Sequence, residues 1–303
     1  MVHNKKISII IPFYNGETYL PRLLNSISVA IGNCQPLTLN FELIVFIDSM
    51  ETSVDILTSL ISEYTYRKDF NEIIIQKNKI NIGVAATRNA AISIAKGSHL
   101  HIIDQDDAVS ETFYLEAAPL LVDNCFILTN GIVYYSDTKY NSHKLYYLTP
   151  QLSIAGLLKG DYIRSPGQVI FSRGLLGEKF FPEPKTFKGA DDRFFWIKLF
   201  IENGKKIKPF YIKNSNYVAF IHNHNYSADG ENLKRSTLEN WEILKNETDL
   251  RLYERTVAQD ILRVKFALRE DMQIINKITG LWRNVIYFLE PNKLIRFVAK
   301  RKK

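Results

Sequence analysis

The chain has 303 residues, 46% hydrophobic and 23% charged, with 39 Lys and Arg against 32 Asp and Glu for a net charge of +7. That balance excludes a disordered or fibrous polymer, and the length suits one large α/β domain, alone or with an appendage. The apolar run in "KKISIIIPFYN" is too short for a secretory leader and no stretch approaches the roughly 20 apolar residues of a membrane span, so the expected location is cytoplasmic, at most on a membrane surface.

In chain order, strand-length apolar runs occur at "ISIII" (7–11), "FELIVFI" (41–47), "NEIIIQ" (71–76) and "HLHII" (99–103). Most are nearly unbroken and rich in β-branched residues, as in strands covered on both faces. Helical stretches alternate with them: "TYLPRLLNSISVAI", "TSVDILTSLISEYTY" and "VAATRNAAISIAKG", the last with Gly97 where a C-cap glycine would stand. Repeated β-α-β units imply a mainly parallel sheet with right-handed crossovers.

From about 125 to 220 shorter strands appear in "CFILTNGIVYYS", "GQVIFSRGLL" and "IKPFYIKNSNYVAFIHNHNYS", with an amphipathic helix expected in "GADDRFFWIKLFIENGKK". Past about 230 the pattern is helical, and Val257, Ile261, Val264, Leu268, Met272 and Ile275 form one apolar stripe. The expected division is residues 1–229 and a C-terminal helical region, 230–303. Its end, "KLIRFVAKRKK", carries six basic residues and no acid. It reads either as a solvated tail or as a patch for anionic lipid, at about 1 kcal/mol per Lys or Arg near the surface. Cys34 and Cys125 stand in no metal-like spacing and offer no disulfide framework.

In open parallel sheets ligands bind beyond the carboxyl ends of the strands. The residues there are Pro12 to Asn15, Asp48, Asn78 to Gly83, and Asp104 to Asp107, a set of acids and amides suited to a nucleotide and a cation. No G-x-G-x-x-G follows the first strand, and a Walker lysine is missing. Like charges at 104, 106 and 107 repel unless something positive lies among them. They suit a solvated turn or a site for Mg²⁺ or Mn²⁺, hard cations that take oxygen ligands.

These segments resemble the family 2 glycosyltransferases of GT-A fold, over roughly residues 6–227. The similarity lies in "ISIIIPFYNGETYLPRLLNSI", "FELIVFIDSMETS", "NKINIGVAATRNAAISIAKG", "HLHIIDQDD" and "GADDRFFWIKLFIENG", in that order. The resemblance implies a hexosyltransferase that moves a sugar from a UDP-sugar to a carbohydrate or glycolipid hydroxyl with inversion. It also implies a Mn²⁺ or Mg²⁺ cofactor, no nucleic-acid partner, and work in bacterial surface polysaccharide or lipooligosaccharide assembly.

Carried over by position, Asp106 is the direct metal ligand, Asp104 a ribose or metal contact, and Asp107 stands behind them. Pro12, Tyr14, Asp48, Asn81, Gly83, Arg88 and Gln105 belong to the donor site. Asp48 would accept from uracil N–H; otherwise it caps the helix near 52. Ile47 and "SMETS" depart from the family's usual acid and Gly-Ser turn. Arg88 would face base or phosphate, or else form a surface ion pair. Asp192 is the implied general base and Asp191 its partner, although carboxylates also favour a helix N-terminus on dipole grounds alone. His222 and His224 would lie in a loop over the diphosphate, and if the segment is extended one of them points inward to the metal. Two other classes fit an α/β nucleotide fold: a nucleotidyltransferase and a non-catalytic nucleotide-sugar-binding protein.

Overall fold

The computed structural model describes residues 5–34, 37–65, 69–135, 142–159, 163–177, 180–183, 186–187, 189–221 and 230–268. Four parallel strands, β1 (Lys5–Phe13), β2 (Leu39–Ile47), β3 (Glu72–Lys77) and β4 (His99–Ile102), form one half of a sheet ordered β3-β2-β1-β4. The order continues through β8 (Val169–Ser172), β6 (Cys125–Tyr135), β9 (Lys208–Ile221) and β5 (Ala108–Val109), with β7 (Ser142–Lys144) paired to β6. β8 is antiparallel to both β4 and β6, so the sheet is mixed, although its long ladders are parallel.

Strand periodicity divides the core. Ile9, Ile11, Leu43 and Val45 face α1 (Leu20–Gly32), α2 (Val54–Tyr64) and α4 (Phe113–Ala117). Ile10, Ile44, Leu100 and Ile102 face the other side, with α3 (Val84–Ile94), α5 (Ile154–Lys159) and α6 (Asp191–Asn203). Successive side chains point to opposite faces, so unbroken β-branched runs are what a doubly covered strand requires.

Two details differ from the sequence reading. α3 ends at Ile94 with Ala95 extended, and Gly97 is no C-cap. A Cβ on Gly97 would lie 2.6 Å from the Ser8 backbone nitrogen, so this glycine permits close approach to β1. α6 is not amphipathic: Phe194 to Phe200 are all buried, because the sheet covers one side and α5 and α7 (Gly230–Glu247) cover others. α7 and α8 (Glu254–Ala267) share the sheet's core through Trp241, Leu244 and Val257. Of the apolar stripe, Val257 and Val264 are buried, Ile261 packs half-buried against the core and Leu268 is half-buried at the end of α8; Met272 and Ile275 fall outside the described residues, as does the basic tail. Among the described residues no helix is long and apolar enough to cross a membrane. Both cysteines are free and buried, and burial pushes each thiol up to about 11.

Candidate active site

The ladders end level with one another, Phe13 beside Ile47 and Ile47 beside Lys77, so the segments that follow share one edge. Pro12 pairs with Phe46 beyond the point where β4 stops opposite Ile10, where its missing N–H breaks no ladder. The side-chain amide of Gln105 pairs with the backbone of Tyr14, accepting from its N–H and donating to its carbonyl, both at 2.8 Å. A Cβ on Gly16 would meet that amide at 2.2 Å. The Tyr14 ring is left 53% exposed on a loop whose backbone is fixed. Asn15, at φ +45°, donates to Glu51 at 2.8 Å and accepts from Ser49, tying this loop to the turn after β2.

Asp48 is buried and takes three hydrogen bonds, from Asn78 Nδ2 (2.8 Å) and the backbone N–H groups of Ile82 (2.9 Å) and Gly83 (2.8 Å). It therefore anchors the 78–83 turn. The cap of α2 is Ser53, which accepts from Ile56 N–H, so the capping alternative for Asp48 is corrected. Gly83 has φ +87°, a conformation that needs glycine, and its N–H also reaches Asn81 Oδ1 at 3.1 Å. α3 starts at the next residue and carries Arg88 one turn on.

Arg88 is the hub. Its Nη2 donates to Asp104 at 2.6 Å and its Nη1 to Asp191 at 2.7 Å, with the Arg88 and Asp191 side chains each 6% exposed and Asp104 32% exposed. Desolvation works against the Arg88 charge, but Asp104, Asp191 and Asp192 outweigh it and raise its pKa. Burial pushes the Asp191 carboxyl up, and Arg88 opposes that push. Asp192, less buried than Asp191, accepts from the Arg193 backbone N–H at 2.7 Å.

The protein thus supplies its own cations to the acids at the β4 end. Arg22 of α1, which the sequence did not single out, donates to the Asp106 carbonyl oxygen and stacks 3.5 Å over the Phe220 ring. Asp107 turns away into the interior, where the Tyr217 hydroxyl donates to it at 2.5 Å. Burial, then Asp106 and Asp104, hold its carboxyl well above the usual range. Nothing in the local sequence around residue 22 or 217 marks these contacts, since Arg22 is 84 residues from Asp106 and Tyr217 is 110 from Asp107.

Asp104 and Asp106 present carboxylate oxygens at the strand end, and neither residue is fully buried. That donor chemistry fits Mg²⁺ or Mn²⁺, which complete a partial protein shell with water and substrate phosphate. Among the described residues no group of three or more His, Cys, Asp or Glu is placed to hold a metal ion. His222 and His224 lie outside the described residues.

Residues 8–180 match the family described as Glycosyl transferase family 2. The chain belongs to that family. A poly(ribitol-phosphate) beta-glucosyltransferase of Bacillus spizizenii is 28% identical over 205 residues, 67% of this chain and 30% of that protein. An abequosyltransferase of Salmonella typhimurium is 33% identical over 106 residues, 35% of this chain and 29% of the other. The chain therefore spans about a third of the length of these relatives. Among solved structures, Staphylococcus aureus TarS 1-349 in complex with UDP-GlcNAc superposes with a TM-score of 0.63 at 19% identity, covering 93% of this chain and 80% of that one. A mannosyltransferase of Pyrobaculum calidifontis in complex with GDP-Man and Mn²⁺ gives 0.54 at 14% identity, covering 96% and 82%. These likenesses establish the GT-A-like fold of this family 2 chain.

Proposed function

We propose that this family 2 chain transfers a sugar, with inversion, from a UDP-sugar to a hydroxyl of a carbohydrate or glycolipid acceptor in bacterial surface-polymer assembly. The observation that carries the reading is the Arg88 bridge, which brings the strand-end acid Asp104 and the helix-start acid Asp191 to one guanidinium. A donor-holding edge and a proton-accepting pair thereby meet. The solved neighbour TarS binds UDP and UDP-GlcNAc, and the relatives named for poly(ribitol-phosphate) glycosylation point toward a surface polymer as acceptor.

In this reading Tyr14 offers an aromatic face to the base. Asp48, Asn81 and Gly83 shape the wall beside it. Asp192 accepts the proton of the acceptor hydroxyl as that oxygen bonds to the anomeric carbon and the bond to the diphosphate oxygen breaks. Asp191, held by Arg88, fixes the first turn of α6. A divalent cation held by Asp104 and Asp106 would offset the charge gathering on the departing diphosphate.

The helical region from 230 is read as an extension packed on the transferase fold, and the tail at 293–303 as a contact to anionic lipid on the cytoplasmic side. A UDP-release screen across donor sugars, with and without Mn²⁺, tests the core of the reading. Release from one UDP-sugar, lost with EDTA, is expected; binding without turnover of any donor would reject transfer.

A further inference from the structure

α6 begins abruptly. Gly189 and Ala190 both have positive φ, +112° and +55°, and the helix starts at the next residue, Asp191. Alanine is strained in the left-handed region and stays there only where its surroundings hold it.

The hold comes from the C-terminal helices. The Ser236 hydroxyl on α7 donates to the Gly189 carbonyl oxygen, and Asn240 Nδ2, one turn on, donates to the same oxygen at 3.3 Å. Both side chains are 0% exposed, and Asn240 also donates to Ser236 Oγ at 3.1 Å. Between them Glu239 accepts from the backbone N–H groups of Thr186 (3.0 Å) and Phe187 (2.9 Å). On the other side of the acidic pair, Asp260 of α8 forms a 3.0 Å ion pair with Arg193. The family match ends at residue 180, so the acidic pair and the α7 and α8 residues that grip its turn lie beyond it, while Arg88 lies within it.

We propose that Ser236 and Asn240 are positioning residues for the transfer reaction. Acting through the Gly189 carbonyl, they fix the left-handed turn that aims Asp192, so the C-terminal helices complete the proton-accepting half of the site. The inference rests on the reading of Asp192 as general base.

The test uses the full chain with water as acceptor. UDP release is measured with the donor sugar that the screen identifies, and UDP affinity by calorimetry. Ser236→Ala and Asn240→Ala are expected to lower kcat by about 10- to 100-fold, the scale of a misplaced reacting group, with donor KM and UDP affinity unchanged. Ser236→Thr, which keeps the hydroxyl, is expected to recover most of the rate. A folded Ser236→Ala chain with unchanged kcat overturns the proposal. So does a parallel fall in kcat and UDP affinity, which marks general loosening. If Asn240→Ala does not fold, Ser236→Ala decides alone. Unimpaired release by Asp192→Asn would instead overturn the base assignment, and no release from any donor would overturn both readings. A dead Asp192→Asn beside an unaffected Ser236→Ala sinks the positioning role alone.

Discussion

Arg88 and Asp191, 103 residues apart in sequence, form a buried ion pair of 2.7 Å. The same guanidinium reaches Asp104 at 2.6 Å. A carboxylate so deeply buried needs its partner, because an unpaired charge in the interior costs more than the pair gains.

Arg88→Ala should therefore lower stability by about 3–5 kcal/mol, the usual range for breaking a buried pair from one side. Arg88→Lys should recover only part of that, since an ammonium lacks the planar fork that reaches two carboxylates. Urea unfolding at neutral pH measures both; an Arg88→Ala chain as stable as the unaltered one would contradict the burial argument.

Asp192→Asn should leave UDP affinity intact while lowering transfer by about 10²–10⁴-fold, the typical contribution of a positioned base. Side-by-side calorimetry and UDP-release kinetics separate the two effects. Near-normal turnover would take Asp192 out of the chemistry.

Asp48→Asn replaces a carboxylate that accepts three hydrogen bonds with an amide that has one acceptor oxygen, so a donor would face the Ile82 or Gly83 N–H. The expected cost is about 1–3 kcal/mol, as for a buried group left unsatisfied, together with weaker UDP binding. Unchanged thermal stability with weaker binding would mean that Asp48 serves the ligand alone and not the turn.

Gly16 and Gln105 should behave as a coupled pair. Gly16→Ala puts a Cβ onto the Gln105 amide, with contacts down to 2.2 Å, and so frees the Tyr14 backbone. Alone it should weaken UDP binding; in a Gln105→Ala background it should add little. A double-mutant cycle on UDP affinity reads the coupling, and strict additivity would rule it out.

His101 gives a pH signature. Burial pushes its imidazole down to about 4, even though Nε2 contacts the Gly167 carbonyl. The folded state keeps this ring neutral while the unfolded state binds a proton near pH 6.5, so its stabilising contribution is present above that pH and is lost as pH falls toward 4. Between pH 7.5 and 5 the loss should be about 2 kcal/mol, at about 1.4 kcal/mol per unit. His101→Gln should lack that component; equal losses in both proteins over this range would disprove it.

The half of the molecule that was legible in the sequence is the half governed by local pattern. Unbroken Ile and Val runs announce doubly covered strands, and their ends mark the edge where Tyr14, Asp48 and Asp104 gather. Partner choice was not legible. That Arg88 spans Asp104 and Asp191, or that Asp48 is spent on the 78–83 turn, depends on segments that meet only after the sheet is assembled. Gly97 looks like a cap because it follows a helix, yet its reason for being glycine is Ser8, 89 residues away. Ser236 and Asn240 are small polar residues on a helix, indistinguishable in sequence from any solvated position, and both are 0% exposed.

The even ladder of β1, β2 and β3 acts as a ruler. Each strand residue advances the chain by roughly 3.3 Å, about the length of a hydrogen bond, so one inserted residue in β2 would carry Asp48 clear of the Gly83 amide and flip its neighbours inside out. An extra residue is better absorbed at the opposite rim, where α1 joins β2 and α2 joins β3 and no such contact depends on the count.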